Sequence, residues 1–383
     1  MQARYEARKA GFKDIDCNSL VRRRQSAKSE SEEAKRELLR SLRESVISQV
    51  PELPSNEELR TRKLFARTFM YHDTMISVPE NLSTQWLVGL RPEGQRCLAI
   101  LKGNSVTLRQ RNGQFVDSFI LDPFALKRTG DHVAIFDCVL GYSNRTMKKT
   151  IYVFDLLMQK GNDLIFSDFV FRQYFLKENW PLCETRGAPM LLGSDDTPDF
   201  VRMEFDFANR ESILSRYTLD DQLDSLMFFH RDGKYVNGLS NEALVFRDSH
   251  LSRFAIDSKH EDGFDGGESM EMVLRASLQR PRKNETIELT TWDGIVLHRM
   301  ALNESPSWLK TGLNKRPFMM VRCQVNNEFE FIEFSSSGKP FPHSFNRIVD
   351  QIRKRKEALG LTASGNELFD SKPLSIDTIL NSV

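Results

Sequence analysis

Cysteine is scarce: Cys17, Cys97, Cys138, Cys183 and Cys323 are spread over 383 residues with no Cys-x-x-Cys spacing. That pattern supports neither a zinc site nor a disulfide framework, and it suits a reducing compartment. No charge of one sign dominates either, since 54 Lys+Arg against 53 Asp+Glu leave a formal net charge of +1. Attraction to nucleic acid therefore has to come from local clusters rather than from the whole field. No apolar run approaches the roughly 18 residues of a membrane-spanning helix, and the N-terminus carries mixed charge instead of a hydrophobic segment behind a basic tip. Neither secretion nor membrane insertion is expected. Internal repeats and low-complexity tracts are missing as well. What is there is 40% hydrophobic residues, enough at this length for one large domain or two moderate ones with extensions.

Residues 1–60 are polar, dense in charge and nearly free of aromatics, so they cannot build a core alone and are expected to fold on a partner. Within them, Glu32 and Glu33 pair with Lys35 and Arg36 at helical distance, while Leu38, Leu39, Leu42 and Val46 form an apolar stripe. This predicts a helix over 29–48. Pro51 and Pro54 end it, and a second short helix is expected around 56–71. From Gln85 the texture changes to short β-rich runs with turns such as Arg111-Asn112-Gly113, the mark of an antiparallel sheet. With helices expected near 171–179 and 217–223, residues 72–258 read as an α+β domain. An acidic loop follows at 260–269. A second β-rich region over 284–360 reads as a small barrel or sandwich ending in the basic helix SFNRIVDQIRKRKEALG, and 361–383 as a tail.

Two charge and sequence patterns point to partners. Arg22, Arg23 and Arg24 precede Lys28, Lys35, Arg36, Arg40 and Arg43, with Glu30, Glu32, Glu33 and Glu37 interleaved. Such a segment can be a solvated charged helix, a nonspecific nucleic-acid arm, or a helix seated in an acidic groove. The order RYEARKAGFK, RRRQ, EEAKRELLRSLR resembles the importin-beta-binding domain of importin alpha and of snurportins. That resemblance implies that these eight cations order on the acidic inner surface of importin beta, a helical solenoid.

Further along, Trp86-Leu87-Val88, then Arg91-Pro92-Glu93-Gly94-Gln95-Arg96, resemble the snurportin pattern of a Trp, a strand and a Pro-x-Gly-x-Arg turn. Residues 134–138, 151–156, 171–175 and 224–230 resemble later snurportin segments in the same order. The resemblance implies a guanylyltransferase-like antiparallel β domain that binds a trimethylguanosine cap. Those transferases use the lysine of a Lys-x-Asp-Gly motif as nucleophile. Here Arg91 takes that place, and arginine stays protonated, so binding without catalysis is implied. Trp86 and Phe246 are the implied base readers, Phe246 standing near the Trp of a family Gly-Trp-Leu-Arg-Pro strand. Arg96, Lys102 and Arg247 are the candidates for the triphosphate. Read from the residues alone, both aromatics can equally be core and each cation a surface charge.

The region 319–339 resembles, weakly, the oligonucleotide-binding-fold (OB) lid of guanylyltransferases. Together these resemblances imply a nuclear import adaptor, shuttling between cytoplasm and nucleus. Its implied partners are importin beta, trimethylguanosine-capped small nuclear RNA and its ribonucleoprotein, and an exportin for its return; no cofactor, metal or membrane is called for. The alternatives are a divergent guanylyltransferase-type enzyme using Lys102, or an importin-beta cargo that binds no cap.

Overall fold

The computed structural model describes residues 55–66, 68–121, 133–143, 148–178, 197–219, 223–252, 254–257, 266, 269–279, 285–326, 329–339, 341–361 and 367–383. The cationic segment expected to bind importin beta, Arg22 to Arg43, lies outside them, as does most of the acidic loop. The described residues divide into two compact units, one holding 55–72, 79–252 and 379–383, the other 73–78 and 254–378. No helix among the described residues is long and apolar enough to cross a membrane.

The first unit is built on two largely antiparallel sheets. In chain order its elements are α1 (Ser55–Ala66), β1 (Met70–Thr74, which runs on into the second unit), α2 (Leu82–Gln85), β2 (Trp86–Pro92), β3 (Gln95–Lys102), β4 (Ser105–Gln110), β5 (Phe115–Ile120), β6 (Val133–Tyr142), β7 (Lys149–Gln159), β8 (Asn162–Asp163), α3 (Phe169–Glu178), β9 (Asp199–Arg202), β10 (Asp206–Phe207), α4 (Arg210–Tyr217), β11 (Leu223–His230) and β12 (Gly238–Phe246). One sheet runs β1-β12-β11-β2-β10; the other runs β5-β4-β3-β6-β7-β8, with β9 joining β7 in parallel. Strand β3 is buried at six successive positions, Arg96 to Leu101, because sheet neighbours and apolar layers cover both of its faces.

The described cysteines are free and buried; Cys97 and Cys138 face each other across β3 and β6. The Asn112-Gly113 turn works as the sequence reading expects: Gly113 sits at φ +78°, and a Cβ there would run into the carbonyl oxygen of Arg62 in α1. Glycine is thus required both by the turn and by the close approach of the helix. Arg109 fixes the same junction through paired bonds of 2.9 and 3.0 Å to Glu58.

Two expected helices differ from those found. The one predicted over 56–71 stops at Ala66, and the chain enters β1, whose main chain pairs with β12. The one predicted over 217–223 runs instead from Arg210 to Tyr217, because Asn209 caps it by accepting from the amide of Ser212 at 2.8 Å. That Asn cap is a helix-start signal that apolar periodicity alone passes over.

The second unit holds β13 (Met270–Gln279), β14 (Thr286–Thr290), β15 (Val296–Ala301), α5 (Ser307–Lys315), β16 (Phe318–Val325), β17 (Phe331–Ser336), α6 (Phe345–Leu359) and α7 (Glu367–Asp370); α8 (Ile376–Leu380) closes the chain. Its first strand begins at 270, ahead of the region expected from 284. The sheet runs β15-β14-β13-β16-β17, all antiparallel. Its two edges approach through side chains: His298 on β15 lies 4.5 Å from the Phe331 ring and 5.8 Å from Phe334 on β17. Helix α6 starts at the Ser344 cap and ends at Gly360, with φ +62°.

This is the expected basic helix, yet Arg353, Lys354 and Arg355 are buried. Arg353 donates to the Leu368 carbonyl, Lys354 to Asp350 and Arg355 to the Ser269 carbonyl. These cations tie the unit together internally, so they do not form a surface for RNA. The expected tail carries Leu368 and Phe369 into the core of the second unit, while Ile379 and Leu380 are buried as well.

Two stability predictions follow from buried charge. Arg172 on α3 pairs with Asp155 on β7 at 2.8 and 2.9 Å and also donates to the carbonyls of Ser167 and Gly233. Arg172→Met is expected to lower unfolding free energy by about 3–5 kcal/mol in urea titrations, since it leaves a carboxylate uncompensated. In the second unit, burial first and the nearby Asp293 next push the Asp73 carboxyl up to about 7, against bonds from Ser344, Thr74 and Asn346. A folded-state value above the unfolded one means stability falls as pH rises from about 4 to about 7. Asp73→Asn is therefore expected to flatten that fall and to be the more stable protein at about pH 8, by a few kcal/mol in urea titrations.

A candidate anion site between two sheets

In the first unit the ends of β2, β11 and β12 meet. Arg91 on β2 stands opposite Ser225 on β11, and the register slips between Leu223 and Ser225. Asp224 is the extra residue of that bulge, which re-aims its side chain. One oxygen, Asp224 Oδ2, accepts from Arg91 Nη1, from Arg247 Nη2 at 2.5 Å and from Ser225 Oγ at 3.1 Å. Arg247 Nε also donates to the Asp224 carbonyl at 3.1 Å. Burial would raise the Asp224 carboxyl, but Arg91 and Arg247 outweigh it and hold it below the usual value. Arg91 is drawn down to about 10, by burial first, with Arg247, Arg96 and Arg111 repelling it and Asp224 opposing. It stays cationic at neutral pH and offers no lone pair for attack.

Across from this group, Arg96 on β3 grips Asp137 on β6, Nε to Oδ1 at 3.0 Å and Nη2 to Oδ2 at 2.5 Å. The Tyr235 hydroxyl donates to the same Oδ2 at 2.5 Å and accepts from the Met70 amide at 3.1 Å. The Arg96 guanidinium lies 5.1 Å from the Phe154 ring centroid and 5.7 Å from that of Phe69. Arg111 is exposed and lies 4.5 Å over the ring of Tyr71. Beside them, His72 is held well below its usual value, by burial first and then by Arg96, Arg91 and Arg111. Its imidazole is neutral, and Nε2 is buried without a hydrogen-bond partner among the described residues.

Four guanidiniums thus share one neighbourhood with two carboxylates, Asp137 and Asp224, a surplus of two positive charges. Clustered guanidiniums of this kind attract anions with several oxygens. Among the described residues no group of three or more His, Cys, Asp or Glu is placed to hold a metal ion.

Of the residues singled out by sequence, Arg96 and Arg247 belong to this cluster. Lys102 does not: it lies at the far end of β3, six residues or about 20 Å from Arg96 at ~3.3 Å per residue. Trp86 begins β2, about 17 Å from Arg91 on the same scale, and packs edge-on against His230 at 5.3 Å. Phe246 stands opposite Leu226, which stands opposite Leu90. Directly opposed residues share a face and neighbours alternate. Trp86, Leu90, Leu226 and Phe246 therefore lie on one face of the sheet, and Gly89, Arg91, Met227, Val245 and Arg247 belong to the other. Val245, two residues before Arg247, thus shares the Arg247 face, and Phe246 does not.

Sequence reading missed Arg91, Arg111, Tyr71 and His72 as site residues. Arg91 had a signal, its position in the turn aligned with a transferase lysine, but it registered only as a lost nucleophile. Arg111 registered only as part of a turn.

Comparison with known proteins addresses the same stretch: residues 68–246 match the family model described as Snurportin1, m3G cap-binding domain. The chain is snurportin-like. The match spans Tyr71, His72, Arg91, Arg96, Arg111 and Asp224, and it supports a cap-binding role. Among solved structures, a Lig E DNA ligase aligns at 12% identity over 70% of this chain and 97% of its own, with TM-score 0.32. The ligase domain of M. tuberculosis LigD aligns at 11% over 72% and 91%, with TM-score 0.32. A mycobacterial DNA ligase D complexed with ATP and MES aligns at 14% over 72% and 94%, with TM-score 0.33. Scores this low carry no argument about what the snurportin-like domain does.

The two faces predict different phenotypes. Phe246→Ala removes a ring that is 2% exposed and is expected to cost about 3–5 kcal/mol of stability. Val245→Ala is expected to cost under about 1.5 kcal/mol, because its side chain is only partly buried. Urea titration of both variants checks this.

Proposed function

We propose that the protein binds the trimethylguanosine cap of small nuclear RNA and links that ribonucleoprotein to importin beta for entry into the nucleus, shuttling between the two compartments. The observation that carries the reading is the surplus of guanidinium charge at one locus of a domain matching the cap-binding family. The triphosphate bridge of a cap supplies several oxygens of opposite charge, and guanidiniums converging from different strands suit it. An N7-methylated base is itself cationic and gains nothing from these arginines, so the phosphate chain is the part the cluster holds.

Binding without bond-making is part of this reading. Arg91 in place of lysine stays protonated with its value at about 10, and Lys102 is remote along β3 from the cluster.

The second unit is OB-like in this reading. Its strand order, third-second-first-fourth-fifth in its own sequence order, with α5 between the third and fourth strands and the sheet edges meeting through His298, supports that assignment. The importin-beta link rests on Arg22, Arg23, Arg24, Lys28, Lys35, Arg36, Arg40 and Arg43 and their likeness to importin-beta-binding domains. Return by an exportin completes the cycle.

Titration calorimetry of the full chain with trimethylguanosine-capped dinucleotide is expected to show binding that weakens with salt. Arg111→Ala and Arg247→Ala are each expected to weaken it about tenfold or more, the loss of a charge-assisted contact worth about 1.5–3 kcal/mol. Absence of binding to any capped dinucleotide would overturn the proposal. For the import link, replacing Arg22, Arg23 and Arg24 together by Ala is expected to abolish pull-down of importin beta while leaving cap affinity unchanged; retained pull-down would remove that segment from the mechanism.

A further inference from the structure

The two arginines that converge from β2 and from the end of β12 already hold an anion. Arg91 Nη1 and Arg247 Nη2 both donate to a single oxygen, Asp224 Oδ2, and Ser225 Oγ donates to it as well. Guanidinium donors hold carboxylate and phosphate oxygens by the same charge-assisted geometry, so a phosphate oxygen can take the place of this one. The bulge gives Asp224 no partner of its own in the ladder with β2, so its side chain can turn without breaking a strand register. The carboxylate is held charged by its two arginines, against its burial. Arg91, for its part, is half-buried and repelled by Arg247, Arg96 and Arg111; without an anion at this point the cluster would be self-repelling.

Building on the cap-binding reading, we infer that Asp224 is an internal substitute for phosphate, occupying the seat between Arg91 and Arg247 until a ligand's phosphate chain displaces it. Its effect is selection by charge. An anion with one phosphate must displace a carboxylate that three donors already hold, and gains little. A chain of several phosphates engages Arg91, Arg247 and Arg111 together and repays the exchange. The site thereby discriminates against the monophosphates and single anions that outnumber capped RNA in any cell, at some loss of absolute affinity.

The test is titration of the full chain with inorganic phosphate, inorganic triphosphate and trimethylguanosine-capped dinucleotide, for the native protein, Asp224→Asn and Ser225→Ala. Asp224→Asn keeps the shape but removes the competing charge. It is expected to bind triphosphate at least fivefold more tightly, to gain measurable affinity for single phosphate, and so to lose selectivity. Ser225→Ala removes one donor to the carboxylate and is expected to shift affinity in the same direction by a smaller factor. If Asp224→Asn retains its circular-dichroism spectrum and binds triphosphate no better than the native protein, the inference is overturned. Should that variant not fold, Ser225→Ala decides, and unchanged or weaker triphosphate binding overturns it. A native protein that binds capped dinucleotide while neither variant binds more tightly removes this inference and leaves the cap-binding reading standing. Failure of all three proteins to bind any of the probes removes both.

Discussion

A carboxylate with no exposure to solvent, Asp137, holds the first unit together. It accepts two bonds from Arg96 on the neighbouring strand of its own sheet and one from Tyr235, which lies between β11 and β12 of the other sheet. Tyr235 passes the connection on by accepting from the Met70 amide in β1. Three groups that would each be costly to bury alone are satisfied by one another, and the two sheets are thereby fixed in one relation. Arg172 reinforces the arrangement from a second point, joining β7 to the turn after β11 through Asp155 and the Gly233 carbonyl.

That lock governs the electrostatics of the cluster beside it. Arg96 cannot move to a ligand without abandoning Asp137, so it acts through its field, not as a mobile contact. Its charge, with those of Arg91 and Arg111, adds to burial in keeping His72 neutral. Arg111, by contrast, is exposed over Tyr71, and Arg247 is partly exposed beside Asp224. Two of the cations are thus locked in internal pairs, while the other two reach toward solvent, and a locked cation has little side-chain freedom left to lose.

The second unit treats charge in the opposite way. Its most basic helix turns Arg353, Lys354 and Arg355 inward, onto carbonyls and Asp350. Long side chains allow this: their stems pack against the core while their heads reach the carbonyls at its margin. A run of cations in a sequence therefore announces a nucleic-acid surface only when the fold leaves it outside.

Much of the architecture was legible without coordinates. Short β-rich runs and the Asn112-Gly113 turn disclosed the antiparallel sheets, since β-branched and aromatic residues suit strands and positive φ suits glycine at a tight turn. The likeness to snurportins, now matched over 68–246, lay in the order of short segments. Membership of the site was not legible. Whether Phe246 or Val245 shares a face with Arg247 turns on a one-residue register, and a one-residue slip sends every side chain to the opposite face. Arg91, Arg111 and His72 are distant in sequence and become one electrostatic unit only when the two sheets bring them together, because desolvation and mutual repulsion are properties of the packed neighbourhood and not of any segment of the chain.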